Sequence, residues 1–119
     1  MTTIKDLPKR ARSVRISADD GLSVDVPHAG TFFRRLRGLL FGGDQLLLNP
    51  CASVHGIGLR RSLDVAYIAP DGKVLEVATI RPWAAHRPRR GAKVAWEAPA
   101  GKFSAMGIAA GTSLRFRAA

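Results

Sequence analysis

The sequence predicts a mainly β, single-domain protein: a β-sandwich or barrel with one short α-helix. Three observations lead there. Short alternating apolar and polar runs recur along most of the chain, separated by glycine, proline and aspartate clusters. Only one stretch carries a helical period. The chain has 119 residues and is 46% hydrophobic, which suits one domain with its own core and argues against wholesale disorder. The expected layout is a flexible basic tail over residues 1–11 and a single domain over residues 12–119.

The tail holds Lys5, Lys9 and Arg10 around Pro8 and has no hydrophobic period. Residues 12–17, RSVRIS, alternate with Val14 and Ile16 on one face. Residues 22–26, LSVDV, alternate again, with Leu22, Val24 and Val26 aligned. The turn residues Asp20 and Gly21 lie between them, so the pair reads as a hairpin. The helix is expected at 31–41, where Phe32, Phe33, Leu36, Leu39 and Leu40 form one apolar stripe. Thr31 suits its N-cap, and Gly42 suits the left-handed conformation that ends a helix. Short strands are expected at 45–49, 51–55 and 63–69. Pro70-Asp71-Gly72 is a tight turn, with proline presetting φ and glycine supplying a positive one. Residues 73–80 pair back as the next strand. A proline- and arginine-rich loop fills 81–91, and strands follow at 93–98 and 112–117. Residues 102–107 hold at most one helical turn.

Lysine and arginine total 19 against 9 acids, a net charge of +10. Such a field attracts polyanions, which makes nucleic acid a candidate partner. An arginine-rich composition that only keeps the chain dissolved gives the same total. No apolar run approaches the roughly 20 residues of a membrane helix, and no signal-peptide core follows the basic start, so no membrane span is expected. One cysteine cannot close an internal disulfide, and a cytoplasmic location is expected.

Cys51, Ser53 and His55 occupy alternate positions after Pro50. A catalytic cysteine–histidine pair needs hydrogen-bond contact. On an extended chain at ~3.3 Å per residue, Cys51 and His55 stand roughly 13 Å apart. They read as one face of a strand, with the cysteine packed as a small hydrophobe. Asp64 breaks an apolar strand. Were 51–55 and 63–69 to form a hairpin, Asp64 would face His55 and orient its ring, and a hydrolase using Cys51, His55 and Asp64 is the corresponding alternative; the favoured reading is structural, with Asp64 bonding loop backbone N–H groups. Glu97, beside Trp96, is the other strand carboxylate, and no spacing pairs it with Asp64 for glycoside hydrolysis. No metal is expected, because no cysteine or histidine pair has zinc-ligand spacing. No cofactor is expected either, because no glycine-rich phosphate loop sits between a strand and a helix.

The most binding-like cluster is Trp83 among Arg81, His86, Arg87, Arg89 and Arg90. An exposed aromatic ring among guanidinium groups suits stacking on a base or a sugar while the cations meet phosphate. A loop anchored by a buried Trp83 fits the same residues.

Several segments, in order, resemble the domain-of-unknown-function family 192: RLRGLLF at 35–41, SVHGIGLRRSLDVAYIAPDGKVLEV at 53–77, PAG at 99–101 and GIAAG at 107–111. The resemblance covers about residues 30–117. It implies a compact jelly-roll-like β-sandwich with a helix over one end. It implies no defined activity, and an association with pilus assembly or secretion. The reading reached is a non-enzymatic binding or accessory domain for an unknown small molecule or protein. Its expected ligand site is Ser53, His55, Asp64 and Trp83. The alternative is nonspecific nucleic-acid binding through Arg81, Arg87, Arg89 and Arg90.

Overall fold

A computed structural model of the chain describes residues 4, 13–29, 45–56 and 59–119. The helix expected at 31–41 lies outside the described residues. Strands β1 (Ser13–Ala18) and β2 (Ser23–Ala29) form the expected hairpin. They are followed by β3 (Leu46–Leu48), β4 (Leu63–Ile68), β5 (Val74–Ile80), β6 (Val94–Pro99), the one-turn helix α1 (Lys102–Ala105) and β7 (Leu114–Ala118). All seven strands belong to one sheet in the order β5-β4-β6-β3-β2-β1-β7. Among the described strands only the β2–β3 pair is parallel.

The sheet curls until its ends meet. Lys73, just before β5, bridges Ser113, just before β7. Val74 N donates to Thr112 O at 2.8 Å, and Leu114 N donates to Gly72 O at 2.9 Å. The expected tight turn makes this closure possible. Gly72 takes φ +94, and a Cβ there would lie 2.2 Å from the Leu114 carbonyl oxygen. Only glycine satisfies both the turn and the close approach.

Alternation within the strands builds two apolar layers on opposite faces. The main core lies inside the curl and includes Ile16, Val26, Leu47, Ile68, Trp96, Phe103 and Phe116. Phe103 of α1 meets Trp96 edge-on, with ring centroids 4.8 Å apart. Ile4 joins this core at 2% exposure and is the one described residue of segment 1–11. The second core holds Leu48, Cys51, Val54, Leu63, Val65, Tyr67, Ile80 and Ala95. The central strands β4 and β6 therefore bury both faces, which is why they read as almost continuous apolar runs.

One expected strand is absent. Residues 51–55 add no strand to the sheet, and the bridge of His55 to Ala85 is an isolated one. The physical reason is competition for edges. β4 is flanked by β5 and β6, so the expected hairpin of 51–55 with 63–69 has no free edge to form on. The segment pairs instead with the loop at 81–91.

Candidate binding surface

Four backbone bonds zip residues 52–56 to residues 83–89. Arg89 N donates to Ala52 O at 2.7 Å and His86 N to Val54 O at 2.9 Å. Gly56 N donates to Ala84 O at 2.7 Å, and Trp83 N donates to Gly56 O at 2.8 Å. Cys51 and Val54 sink into the second core beneath this loop pair. The approach at Gly56 is very close: a Cβ there would stand 2.1 Å from the Arg81 carbonyl oxygen.

Above Gly56 the chain reverses. Ala84 N donates to Arg81 O at 3.1 Å, which closes a β-turn with Pro82 second and Trp83 third. Trp83 has φ 65, the one positive-φ residue other than glycine among the described residues. Proline second and a left-handed residue third define a type II turn, whose third position favours glycine. Trp83 is also 73% exposed. Arg81, Arg87 and Arg90 of the same loop are also exposed.

Arg89 stands apart from its neighbours. Its guanidinium pairs with Glu76 on β5, donates to Arg87 O at 2.6 Å, and lies 5.1 Å from the centroid of the Tyr67 ring. It pins the loop to the sheet. Tyr67 and His86 add a second pin. His86 Nε2 lies 2.9 Å from Thr79 O, which can only accept, so Nε2 carries the proton. In the neutral ring Nδ1 then accepts from the Tyr67 hydroxyl, at 2.8 Å. The Tyr67 oxygen in turn receives the backbone N–H of Val54. Burial pushes the Tyr67 hydroxyl up to about 12, despite the opposing pull of Arg89, so it stays protonated as the donor this arrangement requires.

The residues singled out in the sequence divide between the two faces. Ser53, His55 and Trp83 sit on the loop pair over the second core. The Ser53 carbonyl accepts the Cys51 thiol at 2.9 Å. Asp64 lies on the opposite face. It aligns with Thr79 of β5 and Ala98 of β6, and directly opposed strand residues share a face. Its carboxylate accepts from Thr79 Oγ1 and from Gly101 N, both at 2.8 Å, and so holds the turn that starts α1. Asp64 does not join His55 across a hairpin, because that hairpin does not exist. Glu97 aligns with Val65 and faces the second core, so the sheet separates it from Asp64. Among the described residues no three histidine, cysteine or acidic side chains gather as a metal site. No helix among them is long and apolar enough to cross a membrane.

Sequence reasoning passed over Tyr67 and Glu76. Each sits in a strand whose pattern gives it an ordinary role, and the partners that make them pins come from another part of the chain.

Known proteins resemble this chain. A UPF0127 protein of Pyrococcus furiosus is 28% identical over 103 residues, which is 80% of this chain and 89% of the relative. A UPF0127 protein of Pyrococcus horikoshii is 29% identical over 85 residues, covering 65% and 74%. Two solved structures share the fold. A Novosphingobium aromaticivorans protein of unknown function superposes with TM-score 0.66 at 20% identity, covering 87% of this chain and 83% of that one. A Sinorhizobium meliloti protein proposed to be a transcription regulator gives TM-score 0.67 at 21% identity, covering 87% and 92%. Residues 14–116 match the DUF192 model, described as an uncharacterized ACR, and the chain belongs to that family.

Proposed function

We propose that this chain is a non-enzymatic binding or accessory domain whose contact surface is the loop pair 52–56 and 81–90, with Trp83 at its apex. One observation carries the reading: Trp83 is 73% exposed and holds a backbone conformation that suits glycine. The left-handed region costs a residue with a Cβ about 1–2 kcal/mol. Strain of this kind clusters at functional sites. Trp96 shows what a packing tryptophan looks like here. It is 0% exposed, sits in a strand, and donates its Nε1–H to Gln45 at 2.9 Å.

The surface is firmly held, which lowers the cost of ordering a contact residue on binding. Backbone bonds, the Arg89–Glu76 pair and the Tyr67–His86 bond all restrain the loop. His55, which bridges Ala85, lies near the apex on the facing segment, and Ser53 lies farther along it. Asp64 belongs to the support of α1 and not to this surface.

The test needs no ligand. Replacing Trp83 by glycine removes the strain, at about 0.4–1 kcal/mol of extra unfolded-chain entropy. Trp83→Gly is therefore expected to stabilise the fold by ~0.5–1 kcal/mol in chemical denaturation. In parallel, acrylamide is expected to quench one accessible tryptophan in the natural chain and none in Trp83→Phe. A loss of more than about 1 kcal/mol in Trp83→Gly means that the ring is part of the packing, and the reading fails.

A further inference from the structure

We infer that the loop pair binds single-stranded nucleic acid, with Trp83 stacking on an unpaired base and Arg81, Arg87 and Arg90 meeting the neighbouring phosphates. This rests on the reading of the loop as a contact surface and names its ligand class.

The chemistry of the loop selects the ligand. Residues 81–90 read RPWAAHRPRR, with no carboxylate and no side-chain amide. Sugar recognition pairs an aromatic ring with such hydrogen-bonding groups, and this loop offers none. It offers guanidinium forks, which match phosphate oxygens in pairs. Arg81, Arg87 and Arg90 have no ion pair among the described residues, whereas Arg89 is committed to Glu76. The three exposed cations and the exposed aromatic ring lie within ten residues of chain on one loop. The chain as a whole is also strongly basic, at +10.

Two other polyanions fit less well. Trp83 is the one exposed large hydrophobic among the described residues, and a single buried ring is weak anchorage for a lipid surface. A duplex hides the faces of its bases, so Trp83 gains nothing there beyond the electrostatic attraction.

The experiment is a titration of the full chain with a labelled oligothymidylate of about ten nucleotides. Three phosphate contacts on a single strand give a slope of about −2 in log affinity against log salt, or about a 20-fold loss between about 50 and 200 mM. Replacing Arg81, Arg87 and Arg90 together by glutamine is expected to remove that part of the salt dependence. Trp83→Ala is expected to weaken binding about 5- to 150-fold, and Trp83→Phe to retain most of it. The matching duplex is expected to bind less tightly than the single strand. An abasic strand that binds as tightly as the oligothymidylate overturns the inference, because stacking then contributes nothing. Binding to phosphatidylserine vesicles with none to the oligonucleotide overturns it in favour of lipid. No oligonucleotide binding at about 50 mM salt, with Trp83→Gly still stabilising, overturns the nucleic-acid inference and leaves the contact surface standing. Destabilisation by Trp83→Gly removes both.

Discussion

Tyr67 carries one hydroxyl and uses it both ways: it accepts from Val54 N–H and donates to His86 Nδ1. Losing that oxygen strands the buried Val54 N–H and the partly buried His86 Nδ1 at once. Tyr67→Phe is expected to cost about 1–3 kcal/mol in urea denaturation. The hydroxyl also sets an alkaline limit. Its pKa rises from the ordinary 10.0 to about 12 on folding, so above pH ~10 the unfolded chain releases the proton first. The stability it contributes is complete below about pH 10 and is lost as pH climbs through about 12. Denaturation midpoints measured across that window are expected to fall in the natural chain, and Tyr67→Phe is expected to lack this component. At the exposed β hairpin the opposite sign appears. Arg15 hydrogen-bonds Asp25 from the facing strand position and holds its carboxyl below the usual range.

At the scale of elements, alternation revealed what pairs through regular ladders and missed what pairs through loops. Val14, Ile16, Val24 and Val26 gave the first hairpin, and Pro70-Asp71-Gly72 gave the β4–β5 turn. Residues 51–55 alternate equally well, yet they join a loop and not a strand. The two residues that enter the second core there, Cys51 and Val54, are three apart, so the period of two gave neither the partner nor the buried side. The proposed contact surface was half legible. Trp83 among arginines is visible in the sequence, but its left-handed backbone is not, because no glycine marks the third position of the turn. That Asp64 bonds a loop backbone N–H was an expectation from the sequence, but the partner was hidden, because Gly101 lies 37 residues away. Gly56 gives the element-scale prediction. Gly56→Ala places a methyl against the Arg81 carbonyl, 2.1 Å away before relaxation. It is expected to cost about 1–3 kcal/mol and to increase hydrogen exchange at the amides of Trp83 and Ala84.

For the whole molecule, two features show how the chain is gathered into one body. Ile4, in a segment whose composition suggested a loose tail, is packed among main-core residues. At the other extreme of the chain, Ala119 N donates to Ser13 O at 3.0 Å, so the last residue sits beside the first strand. The sheet's own ends are joined at Gly72. Gly72→Ala meets both a positive φ and the Leu114 carbonyl 2.2 Å away, so the β5–β7 seam must part. The expected result is a loss of about 2–4 kcal/mol, read by thermal denaturation, that exceeds the cost of the same change at Gly21, where nothing lies within 4 Å.

Seven strands in a row leave two that would otherwise lie open to strangers. Val74 has its amide and carbonyl taken by Thr112 and Gly111, and Thr79, near the far end of the same strand, has its carbonyl taken by His86. A second molecule seeking to add itself there meets a sticky ribbon, Val-Leu-Glu-Val-Ala-Thr-Ile, already fastened near both tips. The fastening that shapes this protein therefore also works against its polymerisation into fibrils.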